Sequence, residues 1–186
     1  MKLETKRLIL RTPRISDWKD IVEGIGNLKV SKNISSVPYP YKKKDALEWI
    51  DKQIKNSKKK KKEYSFVIEL KSEKKVIGGS GLHKLDLENK TAETGSWIAK
   101  PYWRKGFATE AKIAVNDFAF NKLKLRRLES RAFVENKASN EMSKKLGLKL
   151  EGTLRKADKS KATSKTHDLN IWGILKEDWK KKHKIK

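Results

Sequence analysis

Pro101-Tyr-Trp-Arg-Lys-Gly-Phe-Ala-Thr-Glu110 is the stretch of this sequence that says most about the fold. It follows a strand-like segment, 92–98, and leads into a segment whose apolar residues recur at helical spacing. A tight turn before a helix leaves backbone N–H groups unpaired beside the positive end of the helix dipole. Gly106 allows close backbone approach, and Arg104 and Lys105 add positive charge. The stretch favours a pyrophosphate site, although an ordinary strand-to-helix turn explains it equally well.

Elsewhere, alternating and periodic apolar residues predict strands and helices in turn. The predicted strands are 7–12, 64–69, 76–82, 92–98, 128–134, 148–154 and 167–175. The predicted helices are 17–25 with Ser16-Asp17 as its cap, 45–56, one from Ala108 onward, and one through Ala138, Met142 and Leu146 that ends at Gly147. This order predicts an α/β (α+β) sandwich around one mixed sheet, in a single domain covering 1–186. The order alone indicates no function.

The charge of the chain is extreme for its length. A formal net charge of +24 over 186 residues attracts polyanions, so nucleic acid, the ribosome and a phosphorylated cofactor are candidate partners. The excess is nearly all lysine and is scattered, which is also typical of a compositional bias. The lysine run 58–62 is interpreted as a solvated loop or a polyanion contact.

Several classes of function are disfavoured. The chain has no cysteine, which excludes disulfides, thiolate metal sites and an acyl-cysteine intermediate. His83, His167 and His183 lack the spacing of metal ligands, so no metal is expected. No apolar run is long enough to span a bilayer, and the first residues lack the apolar core of a signal peptide. We therefore expect a cytoplasmic protein without a membrane partner.

Five segments, taken in order, resemble motifs of the GNAT superfamily of acetyltransferases. They are the opening strand Thr5-Lys-Arg-Leu-Ile-Leu-Arg11; Ala92-Glu-Thr-Gly-Ser-Trp-Ile98, similar to A-E-I-G-Y-W; Trp103-Arg-Lys-Gly-Phe-Ala-Thr-Glu-Ala111, similar to W-G-K-G-Y-A-T-E-A; Glu135-Asn-Lys-Ala-Ser-Asn140, similar to E-N-x-x-S; and Lys145-Leu-Gly-Leu148 with Glu151-Gly-Thr-Leu-Arg155, similar to K-L-G-F and E-G-x-x-R. The set looks like the RimJ and RimL type of N-terminal acetyltransferase, which acts on ribosomal proteins. Ser96 stands where that motif has Tyr, which removes an aromatic ring from the acceptor side.

The resemblance implies a mostly antiparallel sheet that splays between the fourth and fifth predicted strands, with helices on both faces. Acetyl-CoA would lie in the splay, as the co-substrate. Its pantetheine arm would pair with the backbone of Trp97, Ile98 and Ala99, and its pyrophosphate would take the N–H groups of Arg104, Lys105, Gly106, Phe107, Ala108 and Thr109. Asn136 matches a residue that contacts the cofactor, yet an Asn before a helix is also simply an N-cap.

Without cysteine, the acceptor amine must attack the thioester directly. An N-terminal amine is roughly 14% neutral at pH 7, against about 0.04% for a lysine side chain, so one carboxylate suffices as base. By resemblance the base is Glu93 or Asp158, and Ser139 protonates the departing thiolate. The competing interpretations are a solvent-facing strand carboxylate for Glu93, a loop carboxylate among lysines for Asp158, and an ordinary first-turn helix serine for Ser139.

Three functions are consistent with these features. The first is acetyl transfer from acetyl-CoA to a protein N-terminus. The second is acetyl transfer from acetyl-CoA to a small amine by the same fold. The third is a degenerate acetyltransferase fold that binds RNA or the ribosome and has lost turnover.

Overall fold

The structure, a computed structural model, describes residues 1–58 and 63–183. Eight strands form one sheet in the order β1-β2-β3-β4-β5-β6-β8-β7. They are β1 Lys2–Glu4, β2 Leu8–Arg11, β3 Tyr64–Leu70, β4 Lys75–Asp86, β5 Thr91–Ile98, β6 Arg127–Phe133, β7 Lys149–Lys159 and β8 Thr166–Leu175. Neighbouring strands are antiparallel except for β5 and β6, which are parallel. The predicted mixed, mostly antiparallel sheet is confirmed.

The helices lie on both faces of this sheet, as predicted. They are α1 Trp18–Ile25, α2 Leu28–Ser31, α3 Lys43–Lys58, α4 Phe107–Asp117, α5 Lys137–Lys145 and α6 Lys176–His183, and a π-helical turn, Phe118–Lys122, continues α4. One apolar cluster packs α4 and the Trp179 side chain of α6 against the sheet. A second cluster packs α1 and α3 against the opposite face, where Val67 and Val76 project. The two clusters are the two layers of core that a sheet between helices requires.

The parallel pair is the irregular place in the sheet. β5 and β6 pair only through Thr91, Ala92 and Glu93, which lie opposite Arg127, Leu128 and Glu129. β5 then continues to Ile98 and β6 to Phe133 without further pairing between them. The predicted splay therefore exists, and it opens immediately after Glu93.

Some local expectations were wrong. Asp17 occupies the N-cap position of α1, as predicted, but its side chain forms no capping hydrogen bond there, because its carboxylate accepts hydrogen bonds from both terminal nitrogens of Arg11 at 2.8 and 2.9 Å. β7 runs to Lys159, so Asp158 lies in a strand paired with His167 and not in a loop. β1, α2 and α6 were not predicted; they are short or rich in charge, and packing against the rest of the fold determines them.

Other expectations of local structure are confirmed. Gly147 follows α5 with φ +90°, the left-handed conformation of a helix C-terminal cap. Trp49, Trp172 and Trp179 are expected to serve packing; Trp172 and Trp179 are buried, and Trp49 packs against the second core cluster. Residues 59–62 of the predicted lysine run lie outside the described residues. Within 1–58 and 63–183, no helix has both the length and the apolar character needed to cross a membrane.

Candidate active site

The turn before α4 has the backbone geometry of an anion site. Gly106 adopts φ +80°, and Arg104 adopts φ +62° two residues earlier. α4 begins at Phe107 without a side-chain cap. In the described part of the chain, no side chain and no carbonyl outside the helix accepts a hydrogen bond from the N–H groups of 104–109. The exposed turn therefore presents several free N–H donors at the positive end of a helix.

Arg7 holds this turn in place from the other end of the sequence. Its Nη1 donates to the Lys105 carbonyl at 3.0 Å, and its guanidinium lies 4.3 Å from the centre of the Phe107 ring. Its Nε and Nη2 both contact Glu110 Oε2 at 2.7 Å. Thr5 Oγ1 donates to the other oxygen of Glu110 at 2.6 Å. These contacts fix the carbonyl side of the turn, so that its N–H side remains free.

Glu110 itself is held as a structural carboxylate. Burial alone would raise its pKa, but the hydrogen bonds from Thr5 and Arg7 outweigh burial and lower the pKa. Neither Arg7 nor Thr5 was predicted to belong to the site. Both lie in the quoted opening strand motif, but nothing local in the sequence shows that they reach a turn about a hundred residues away.

The parted strands offer unpaired backbone on one side of β5. Ala99 is paired within the protein, since its N–H donates to the Ile77 carbonyl at 2.8 Å and its carbonyl accepts from the Tyr102 N–H at 2.9 Å. Because pairs alternate along an antiparallel ladder, Trp97 bonds toward β4, whereas Ser96 and Ile98 direct their backbone groups toward the splay. Trp97, Ile98 and Ala99 were assigned to the pantetheine arm. Of these three residues, only Ile98 directs its backbone groups toward the splay.

Two tryptophans shape this region differently. Trp103 Nε1 donates to the Ile98 carbonyl at 2.6 Å, which occupies one of the acceptors that face the splay. The Trp97 ring instead packs on the opposite side, where a Cβ at Gly24 of α1 would lie 2.9 Å from it. Trp97 thus ties α1 to β5 and takes part in the second core cluster.

Glu93 stands at the last residue pair before the strands part. Its Oε1 contacts Lys84 Nζ at 2.6 Å and Arg131 Nε at 3.2 Å. Arg131 also contacts Glu129, the residue opposite Glu93 on β6. One oxygen of the Glu93 carboxylate thus lies close to two cations, and the Glu93 side chain is 21% exposed.

The first turn of α5 lies at the far end of β6. Asn136 caps the helix, since its Oδ1 accepts from the Ser139 N–H at 3.3 Å. Ser139 is partly buried there. Asn140, which was not predicted, fixes this turn: its Nδ2 donates to the Phe133 carbonyl at 3.0 Å, and its Oδ1 accepts from Trp172 Nε1 at 2.8 Å. The cap predicted for Asn136 is confirmed, and its contact with the cofactor stays a prediction.

Asp158 lies on β7, which is neither of the two strands that part. β7 is the edge strand, and β8 separates it from β6. The Asp158 carboxylate accepts from the backbone N–H of Lys159 at 2.9 Å. Its partner across the ladder, His167, stacks on Phe133 with ring centres 4.4 Å apart. The structure therefore brings Glu93 to the splay and places Asp158 three strands from β5.

Comparison with known proteins identifies the family. The profile of the "Acetyltransferase (GNAT) domain" matches residues 7–149. The chain belongs to the GNAT acetyltransferases. YoaA of Bacillus subtilis, named as an uncharacterized N-acetyltransferase, is 31% identical over 177 residues, which cover 94% of this chain and 96% of that protein. A GNAT acetyltransferase structure from Bacillus anthracis has a TM-score of 0.82 at 25% identity, covering 95% of this chain and 99% of that one.

The name of a further relative states its acceptor. The ribosomal-protein-serine acetyltransferase of Escherichia coli is 28% identical over 95 residues, about half of each chain: 51% of this one and 53% of that one. The GNAT match establishes that this protein is an acetyl-transferring enzyme whose acetyl donor is acetyl-CoA. In 1–58 and 63–183, no group of three or more His, Asp or Glu is placed to hold a metal ion. The cytoplasmic location stays a prediction.

Proposed function

We propose that this GNAT enzyme acetylates protein N-terminal α-amino groups, with Glu93 as the general base. The observation that carries the proposal is the position of Glu93 at the last pair of β5 and β6, where the two strands part. Its carboxylate, which is 21% exposed, can accept a proton, directly or through water, from an amine that enters at this point. Because an α-amino group is partly neutral at pH 7, one such carboxylate is sufficient.

The residues around the splay fit acetyl-CoA. The free N–H groups of 104–109 suit its pyrophosphate, and Arg104 and Lys105 add positive charge at the same exposed turn. The Ile98 N–H and the backbone of Ser96 on the open side of β5 suit its pantetheine arm, whereas the Ile98 carbonyl is already paired with Trp103. When bound, acetyl-CoA supplies the activated acetyl thioester.

We assign the hydrogen bond to the leaving thiolate to Ser139. This assignment is supported by the Asn136 cap and the Asn140 contacts, which hold the helical turn that carries Ser139. Asp158 is the second candidate for the base. The chain offers no cysteine, so the amine attacks the thioester directly.

The acceptor assignment is supported by the resemblance to the RimJ and RimL type and by the ribosomal-protein acetyltransferase among the relatives. It is tested by measuring CoA release from acetyl-CoA with a library of peptides of different N-terminal residues, the same peptides with blocked N-termini, and small amines. Turnover that requires a free peptide N-terminus supports the proposal. Turnover with small amines alone would replace it by the small-amine alternative.

Replacing Gly106 with Asp should weaken acetyl-CoA binding by about 10- to 100-fold, the loss expected when charge-assisted hydrogen bonds to an anion are opposed by a carboxylate. The matched control is Gly106→Asn, because Asn has the same size, lacks the charge and tolerates a positive φ. Calorimetric titration with acetyl-CoA measures both variants. An equal loss in the two variants would show that shape, and not anion binding, is the property of Gly106 that matters.

Any association with RNA should be salt-sensitive and weakly selective for sequence. The net charge of +24 is carried mostly by lysines spread along the chain, and such a surface contacts phosphates and not bases. Filter binding of two unrelated RNAs at low and physiological salt tests this. Tight binding that survives the higher salt, or that separates the two RNAs, would contradict it and indicate a dedicated site.

A further inference from the structure

Lys112 of α4 is a lysine in the protein interior. Its side chain is 1% exposed, and its Nζ donates to Ser130 Oγ of β6 at 2.8 Å. No carboxylate in the described residues forms an ion pair with it. An ammonium has three N–H donors, so two of them have no partner among residues 1–58 and 63–183. Burial lowers the pKa of Lys112 to about 8.

The neighbours of Lys112 also have unused hydrogen-bonding groups. Asn116, one turn further along α4, is fully buried; its Oδ1 accepts from Thr94 Oγ1 at 3.1 Å, and its Nδ2 has no partner. Ser96 Oγ is also buried without a partner. We call Thr94, Ser96, Lys112, Asn116 and Ser130 the Lys112 cluster. Its unpaired N–H donors, on Lys112 and Asn116, outnumber its unpaired acceptors, since only the Ser96 hydroxyl, which can both donate and accept, is unpaired besides them.

The Lys112 cluster lies where the sheet opens. Thr94 and Ser130 each follow directly after the last pair of β5 and β6, Glu93 with Glu129. Thr94 forms a hydrogen bond with Asn116 of α4, and Ser130 forms one with Lys112 of α4. The cluster therefore lies on the face of the sheet that α4 covers. Lys112 is six residues beyond Gly106, which is roughly 9 Å along the helix. Lys112 therefore lies between the turn at Gly106 and the point where β5 and β6 part.

We propose that Lys112 and Asn116 are additional binding residues for the acetyl donor, and that their free N–H groups take carbonyl oxygens of its pantetheine arm. The arm carries amide carbonyls and a thioester carbonyl, which are the acceptors that the cluster lacks. Two buried polar groups without partners cost stability in the empty protein, and a ligand that pairs them recovers that cost. The inference rests on the proposed placement of acetyl-CoA in the splay.

The experiment compares two ligands. Calorimetric titrations at pH 7 measure the affinity of the wild type, Lys112→Met, Asn116→Leu and Lys122→Met for acetyl-CoA and for 3′-phospho-ADP, which has the phosphates without the arm. Met matches Lys in length and removes the charge. Lys122 is an exposed lysine in the π-helical turn after α4, so Lys122→Met is the matched control for charge.

For acetyl-CoA we expect a loss of about 10- to 100-fold in Lys112→Met and about 2- to 10-fold in Asn116→Leu, the range for hydrogen bonds from charged and neutral donors. For 3′-phospho-ADP we expect no change in either variant, and Lys122→Met should match the wild type with both ligands. An unchanged affinity of Lys112→Met for acetyl-CoA, or an equal loss with both ligands, overturns the inference while leaving the proposed function in place. If the wild type binds neither ligand, the proposed site for acetyl-CoA is wrong, and the inference that rests on it is wrong as well.

Discussion

Replacing Lys112 with Met should stabilise the ligand-free protein by about 3 kcal/mol at pH 7, which is unusual for a change in a core. The reason is that burial lowers the pKa of Lys112 from 10.5 to about 8. Each pKa unit of this shift corresponds to about 1.4 kcal/mol of preference for the neutral form. At pH 7 the buried ammonium therefore lowers the free energy of unfolding of the wild type. For a chain of this length the gain should raise the Tm by roughly 6 to 12 °C.

The pH dependence of this gain has a definite sign. The unfolded protein binds the proton of Lys112 more tightly than the folded protein does, so the cost is complete below pH 8 and disappears as the pH rises through 8 toward 10.5. The difference in unfolding free energy between Lys112→Met and the wild type should therefore shrink to about 1 kcal/mol at pH 10. Denaturant unfolding at pH 7 and pH 10 measures it, with Lys122→Met as a control that should stay within about 0.5 kcal/mol of the wild type. A Lys112→Met protein less stable than the wild type, or a difference independent of pH, would contradict the account.

Replacing Glu93 with Gln should lower kcat by about 10²- to 10⁴-fold and leave acetyl-CoA binding intact, as expected for the loss of a general base. Gln has the size of Glu and can keep contact with Lys84 or Arg131 through its amide oxygen, so the strands should remain in place. Steady-state kinetics with a peptide acceptor, together with titration of acetyl-CoA, separates the chemical step from binding.

The matched control for Glu93 is Asp158→Asn. Asp158 lies on the edge strand, three strands from β5, so its replacement should cost little. A base also makes the wild-type rate fall on the acid side of the pH profile, and this fall should be absent in Glu93→Gln. If Asp158→Asn loses the activity, the base is Asp158. If both variants keep full activity and an unchanged profile, the enzyme uses no side-chain base.

The elements that the sequence predicts well are those with a local signal. Strands such as β2, β3 and β5 show alternation, Asn136 and Gly147 mark the two ends of α5, and the glycine before α4 marks the turn. Local signals suffice here because each depends on residues a few positions apart.

The rest of the site depends on contacts between distant segments. Lys112 is one of many lysines in a lysine-rich chain, and its burial is decided by the packing of α4 on the sheet. The only hint in the sequence is its place beside the apolar positions Ala111 and Val115. The length of β7 was underestimated because 155–159 is charged and exposed, and only its pairing with β8 makes it a strand. Pairing across a sheet cannot be inferred from such a segment alone.

The contact between Arg7 and the Lys105 carbonyl joins residues 98 positions apart. A turn held in this way cannot reach its final shape while only its own neighbourhood is folded, because the loop between the two residues must first be closed. The first strand must be docked and the central sheet assembled before the N–H groups of 104–109 are fixed for an anion. Acetyl-CoA should therefore recognise the completed fold and not a folding intermediate, so its binding reports that folding has finished.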